Sequence, residues 1–371
     1  MRYYLVAGEA SGDLHGSNLM KEIIARDPQA DIRFWGGDLM QAVGGTLVSH
    51  YKERAFMGLW EVIKNLRTIA GFLQQAKQDI IQWKADAIIL IDNPGFNMRL
   101  AKFGKEAGYP IHYYIAPKVW AWNTKRVVKI KKYVDYLYCI LPFEPDFFSK
   151  HGVKIDYVGN PIVDAISQFK PEANWKENRS ITKPIVAILP GSRRYEIENT
   201  LPILASLQPD FPDHTFVVAG ATGFDPLWLQ GLAANEEVKI CINDTYNILA
   251  NAQVGMIASG TATLETAAFN VPQLVCYRVA AFTYFIGKKL MKVPWASLVN
   301  LILWRELVPE FIQDDFTREN VKKELAALLQ GPKRDQMFEG YQELNERLGP
   351  VGASAKTAEL MVGRIKNLRS S

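Results

Sequence analysis

A short apolar run that ends in a small-residue loop and re-emerges as an amphipathic helix constrains this chain most, because the pattern recurs. Residues 3–7 run into Gly8-Glu9-Ala10-Ser11-Gly12-Asp13, with a helix from about Leu14. Residues 185–189 run into Pro190-Gly191-Ser192-Arg193-Arg194, with Glu196 and Glu198 in the first turns of the next helix. Residues 254–257 run into ASGTATLETAAF at 258–269. Runs that are apolar throughout are strands buried on both faces, and strands alternating with helices build a parallel sheet covered on each side. The same reading predicts strands at 32–35, 87–91, 111–115, 136–140, 216–219 and 274–277. Ligands of such sheets bind beyond the carboxyl ends of the strands. In the first half that rule selects residues 8–13, 92–97 and 116–122.

At 371 residues the chain exceeds one typical core, which favours two domains. The proline-bracketed polar stretch 171–184 reads as the linker. It separates a domain at 1–170 from one at 185–344, and the C-terminal helices 345–371 are expected to pack back on the first domain or on a partner subunit. Hydrophobic residues at 48% and charged residues at 22% describe an ordinary globular protein. A net charge of +4 is too mild to argue for nucleic acid. Cys139, Cys241 and Cys276 are far apart and form no CxxC pair, which fits a reducing compartment. The N-terminus lacks a signal-peptide pattern, and no run reaches the ~18 apolar residues of a spanning helix. A cytoplasmic protein is expected, one that can still sit on a membrane surface.

The loops differ in the chemistry they suit. Gly191 permits close approach to the backbone, Ser192 can cap the helix, and exposed N–H groups with the helix dipole favour an anion. Arg193 adds a fork-shaped cation matched to phosphate. Ser259, Gly260, Thr261 and Thr263 can cradle a pyrophosphate, and Glu265 can accept hydrogen bonds from a ribose diol. Each loop alone equally suits an ordinary capped helix; two in one domain favour a bound nucleotide diphosphate. The first loop is G-x3-G-x3-G, not a dinucleotide fingerprint. Its Glu9 and Asp13 would repel a pyrophosphate and suit a neutral hydroxylated ligand, or the loop is simply a tight turn. Asp92 ends the apolar strand 87–91, a desolvated position suited to a general base, though an Asp before Pro-Gly is also a common turn former. No histidine pair has metal spacing, and His15 alone follows a candidate loop. Residues 56–73 and 282–295, with Lys125, Arg126, Lys129, Lys131 and Lys132, read either as membrane-surface segments or as core helices with solvated lysines.

Taken together, GEASGD, IDNPGFN, YYIAPKVWAW, LPFEPDFF, YVGNP, LPGSRRYEIE, ASGTATLE and SLVNLILWRELVPE resemble lipid-A-disaccharide synthases in order and spacing, from residue 3 to about 345. The resemblance implies an α/β GT-B fold: two Rossmann-like domains whose parallel sheets face a central cleft. It implies an inverting transfer that needs no metal and no cofactor. Diacylglucosamine would move from UDP-diacylglucosamine to the 6-hydroxyl of lipid X, a diacylglucosamine 1-phosphate, giving the β(1→6) disaccharide and UDP. By the same resemblance Asp92 is the general base, and Glu9, Ser11 and Asp13 lie on the acceptor side. Gly191, Ser192, Arg193, Ser259, Gly260, Thr261, Thr263, Glu265 and Asn300 meet UDP; Glu306 and Gln313 lie in the same family segment without an assigned role. The expected setting is the inner-leaflet surface, with homodimerisation left open. Two departures stand out. Gly95 replaces a second aspartate common in relatives, leaving Asp92 as the sole carboxylate of its turn. Asn160 stands where many carry histidine, so no titrating role applies there. The rival readings are another GT-B enzyme of UDP-N-acetylglucosamine, either a lipid-linked transferase or a 2-epimerase, and a non-catalytic binding module.

Overall fold

A computed structural model describes residues 1–54, 66–278 and 293–370. The chain divides into two compact units, one of residues 1–164 with 350–371 and one of residues 165–349. The first contains seven parallel strands: β1 (Arg2–Ala7), β2 (Asp31–Gly36), β3 (Thr46–His50), β4 (Ala87–Ile91), β5 (Ile111–Tyr114), β6 (Tyr136–Cys139) and β7 (Asp156–Tyr157), in the order β3-β2-β1-β4-β5-β6-β7. The second contains six, also parallel: β8 (Ile185–Leu189), β9 (Thr215–Gly220), β10 (Lys239–Ile242), β11 (Ala252–Ile257), β12 (Gln273–Tyr277) and β13 (Glu310–Ile312), in the order β10-β9-β8-β11-β12-β13.

In each sheet the strand order reverses beside the first strand of the unit. β1 lies between β2 and β4, and β8 between β9 and β11. These are the topological switch points, where the loops leaving two neighbouring strands diverge and open a crevice. Every residue of β4 and of Tyr3–Ala7 in β1 is fully buried, as are the first four of β8. Polar atoms drawn into this core are bonded there: the Tyr4 hydroxyl donates to Asp79 at 2.8 Å and accepts from Trp35 Nε1 at 2.7 Å.

The stretch 171–184 is not a free linker. It contains the helix Trp175–Asn178, and Trp175 is buried in the core of the second unit among Ile181, Ile185 and Val217. Its indole donates to Asp244 at 2.6 Å, and the Arg179 guanidinium lies 4.6 Å from its ring. The polar composition that suggested a linker belongs to the exposed side of a segment pinned by one aromatic residue.

The helix Ala353–Ser370 belongs to the first unit, where it packs along the helix Ala10–Arg26. Asp164 holds its start. The buried carboxylate accepts from the N–H groups of Gly352 (2.7 Å), Ala353 (3.2 Å) and Ser354 (2.9 Å). Farther along, Arg364 bonds both oxygens of Asp156 at 2.7 and 3.0 Å. Asp164→Ala removes a charge-assisted cap and should cost about 2 kcal/mol. Scanning calorimetry should then show the unfolding of the first unit lowered by several degrees; an unchanged midpoint would contradict the capping role.

Candidate functional site

In the first unit, three loops at the ends of adjacent strands β1, β4 and β5 gather the candidate residues. Glu9 is the N-cap residue of the helix Ala10–Arg26, in extended conformation, and its side chain does not cap the helix. Both Glu9 and Ser11 are exposed, and the Ser11 hydroxyl donates to Glu9 Oε1 at 3.1 Å. Gly8 is required by close approach, since a Cβ there would lie 1.9 Å from Asn93 Nδ2. The loops after β1 and β4 therefore touch.

Asp13, expected on the acceptor side, has another task. It is buried and accepts from the N–H groups of Gly37 (2.7 Å), Leu39 (3.0 Å) and Met40 (3.1 Å). It thereby caps the helix Asp38–Val43, whose own N-cap residue, Gly37, has no side chain to do so. A carboxylate this fully engaged is not open to a sugar. His15 is buried and held neutral, its pKa lowered to about 4 by desolvation.

Asp92 stands at the end of β4 with its backbone in the left-handed region (φ 46°), and Asn93 follows it there (φ 43°). Its main chain is fully bonded. The N–H donates to Tyr114 O at 3.0 Å, and the carbonyl accepts from the Tyr113 hydroxyl at 2.5 Å and Asn97 Nδ2 at 2.9 Å. Burial raises the carboxyl pKa above its ordinary value; the nearby Lys118 charge opposes that rise, and the Glu9 charge adds to it. Asn97, Tyr113 and Lys118 were not singled out from sequence. Lys118 lies within the expected 116–122 loop, and Asn97 closes the DNPGFN turn, five residues after Asp92.

In the second unit, the loops after β8 and β11 flank the switch point. Gly191 (φ 111°) admits no side chain: a Cβ would lie 2.8 Å from Glu196 Oε2. Arg193, and not Ser192, is the N-cap residue of the helix Arg194–Ala205, again extended and without a side-chain cap. Ser192 was expected to cap, but it lies one residue too early and remains exposed. Among the described residues no acceptor meets the N–H groups of Arg194, Tyr195 and Glu196. The Arg193 guanidinium, 66% exposed, bonds Glu196 Oε1 at 3.0 Å.

After β11, Ser259 and Gly260 are partly exposed and Thr261 is exposed. Among the described residues the N–H groups from Ser259 to Ala262 meet no acceptor. Thr263, expected to meet the ligand, is fully buried, and its hydroxyl donates to Gly260 O at 2.8 Å. It shapes the loop from within. Glu265 is half-buried, and the Tyr246 hydroxyl donates to its Oε1 at 3.0 Å, which leaves one oxygen for a ribose hydroxyl. Burial raises its carboxyl pKa, and the Tyr246 hydrogen bond opposes that.

Asn300, expected as a donor contact, is a staple. Its fully buried amide donates to Val308 O (2.8 Å) and Glu310 (2.9 Å) and accepts from the N–H groups of Leu307 and Val308, both at 2.9 Å. All its capacity is spent fastening the 304–308 turn to the helix Leu298–Leu303. Glu306 is exposed; Gln313 is buried with φ 55°, and its carbonyl accepts from Arg278 at 3.2 Å. A groove of about 750 Å³ lies elsewhere in this unit, lined by Glu306, Glu310, Glu324, Glu339 and Glu343 with only Arg305 and Lys333 as counter-charge. Walls of that charge would repel a diphosphate. Residues 56–65 and 282–292, the core of the two expected membrane-surface segments, lie outside the described residues. Among the described residues no helix is long and apolar enough to cross a membrane.

The family model described as lipid-A-disaccharide synthetase matches residues 3–359. A lipid-A-disaccharide synthase of Geobacter metallireducens is 36% identical, the match covering 97% of this chain and 96% of the relative. That of Myxococcus xanthus is 35% identical, covering 96% of each. Among solved structures, UDP-GlcNAc 2-epimerase of Neisseria meningitidis bound to UDP-GlcNAc superposes with TM-score 0.71 at 11% identity, over 99% of this chain and 100% of that one. The calicheamicin glycosyltransferase CalG4 superposes with TM-score 0.59 at 15% identity, over 98% of this chain and 99% of that one. These two likenesses identify the fold, GT-B-like α/β, without choosing between epimerase and transferase. The sequence match chooses: this chain belongs to the lipid-A-disaccharide synthetase family.

Proposed function

We propose that the protein transfers diacylglucosamine from UDP-diacylglucosamine to the 6-hydroxyl of lipid X, forming the β(1→6) disaccharide 1-phosphate and releasing UDP. Family membership supports the reaction. One observation carries the division of labour: the same N-cap position after the first strand of each unit is Glu9 in one and Arg193 in the other. Orphan N–H groups beside a guanidinium suit the diphosphate of UDP; beside a carboxylate they do not. The second unit accordingly holds UDP through residues 191–196 and 259–262, with Glu265 on the ribose.

Asp92 is then the base. It takes the proton of the 6-hydroxyl as that oxygen attacks the anomeric carbon. The bond from that carbon to the diphosphate oxygen breaks on the opposite face, and UDP leaves with the electron pair. Arg193 and the helix N-terminus stabilise the charge gathering on the leaving group. The acyl chains of both substrates place the reaction at an anionic leaflet surface. In support, the helix Val127–Tyr133 exposes Lys129, Lys131 and Lys132 around Val128, which is 71% exposed.

Mass spectrometry of a reaction with both lipids tests the assignment, and absence of disaccharide despite UDP binding would overturn it. Asp92→Asn should lower kcat by about 10²–10⁴-fold. Because its native pKa lies above the unfolded value, ionised Asp92 costs stability at neutral pH, so the same variant should unfold no earlier than wild type. Wild-type turnover would remove Asp92 from the role.

The acid limb of kcat should lie above the ordinary carboxylate range near about 4. Lys118→Met should move the limb up and Glu9→Gln should move it down; shifts of the opposite sign would contradict the electrostatics. Arg193→Ala should weaken UDP binding about 10- to 100-fold by calorimetry, and unchanged affinity would dismiss the diphosphate contact.

A further inference from the structure

We propose that Asn97 and Tyr113 are positioning residues for Asp92: both grip its peptide carbonyl and so fix the left-handed turn that aims its carboxylate beyond the end of β4. The inference rests on Asp92 as the base. Two consecutive non-glycine residues in the left-handed region, with Asn93 directly before Pro94, form an unfavourable backbone that surrounding bonds must impose. The donors that impose it are few and buried. Asn97, fully buried in the first turn of the helix Pro94–Glu106, directs Nδ2 at the carbonyls of Asp92 (2.9 Å), Ile91 (3.1 Å) and Val6 (3.3 Å).

One amide group therefore ties the ends of β4 and β1 together on the floor of the switch point. Its own oxygen stays buried with no donor, a cost that a residue serving packing alone would not carry. Tyr113, fully buried on β5, brings its hydroxyl to the same Asp92 carbonyl at 2.5 Å. Burial drives the phenol pKa well above its ordinary value, so it remains a neutral donor. Neither side chain needs to touch substrate. Released from them, the 92–93 turn can relax toward an ordinary extended conformation and swing the carboxylate toward water, away from the acceptor hydroxyl.

The test compares Tyr113→Phe, Asn97→Ala, Asp92→Asn and the Tyr113→Phe/Asp92→Asn double variant, using UDP-diacylglucosamine and lipid X across pH. Tyr113→Phe conserves volume and should lower kcat about tenfold with KM for either lipid changed less than about twofold. Its acid limb should move to lower pH as the carboxylate gains water, with Glu9, Lys118 and the removed phenol the charged or titratable neighbours at issue. UDP affinity by calorimetry should not change. In the Asp92→Asn background Tyr113→Phe should cost nothing further.

A Tyr113→Phe enzyme with wild-type kcat and an unmoved limb overturns the proposal, as does an equal loss in the Asp92→Asn background. Should Asn97→Ala not fold, Tyr113→Phe alone decides. If Asp92→Asn itself retains kcat, the base assignment fails and the proposal falls with it. That outcome is distinct from an inactive Asp92→Asn beside a fully active Tyr113→Phe.

Discussion

A helix that starts directly after a buried parallel strand exposes N–H groups that the helix itself cannot satisfy. Both units do this at the strand where the sheet order reverses, and neither supplies a side-chain cap there. In the proposed reading, Arg193 at the N-cap of the second loop favours the diphosphate of UDP. Glu9 in the equivalent position cancels the helix field in the first. The two helix starts share an extended N-cap residue without a side-chain cap and differ in the sign of its charge, on which the proposed division of labour rests.

Strain collects at the same place. Asp92, Asn93 and Ile115 all have positive φ, at the ends of the adjacent strands β4 and β5. Ile115 is β-branched, for which that conformation is a true outlier. Such residues persist only where the surroundings over-determine them. Here the surroundings are fully buried strands, the Asn97 amide and the Tyr113 hydroxyl. The buried centre of the sheet therefore bears the strain, and the Asp92 carboxylate at its end is partly desolvated.

The nine strands legible in the sequence are those interior to the two sheets, where burial writes a mostly apolar run, interrupted in β2 by Arg33 and in β5 by His112. The four that went unread are the edges: β3, β7, β10 and β13. They are two to five residues long and only partly buried, so their sequences alternate weakly or not at all. Site residues divide in a similar way. Loops that owe their form to glycine and to chain direction, at 191–193 and 259–261, were visible. The roles of Asp13, Thr263 and Asn300 were not, because a polar residue that caps a distant helix or staples a turn looks in sequence like one that meets a ligand. Asp13 reaches helix Asp38–Val43, and Asn300 reaches Val308 and Glu310; only folding reveals those partners. Trp175 likewise converted an apparent linker into core.

Backbone hydrogen exchange with and without UDP tests most directly whether the two switch points have divided in this way. UDP should slow exchange at the amides of residues 194–196 and 259–262, the orphan donors of the second unit, while leaving 10–12 and 92–97 unchanged. Protection at 10–12 with none at 194–196 would place the nucleotide on the acidic loop and contradict the assignment of the two units.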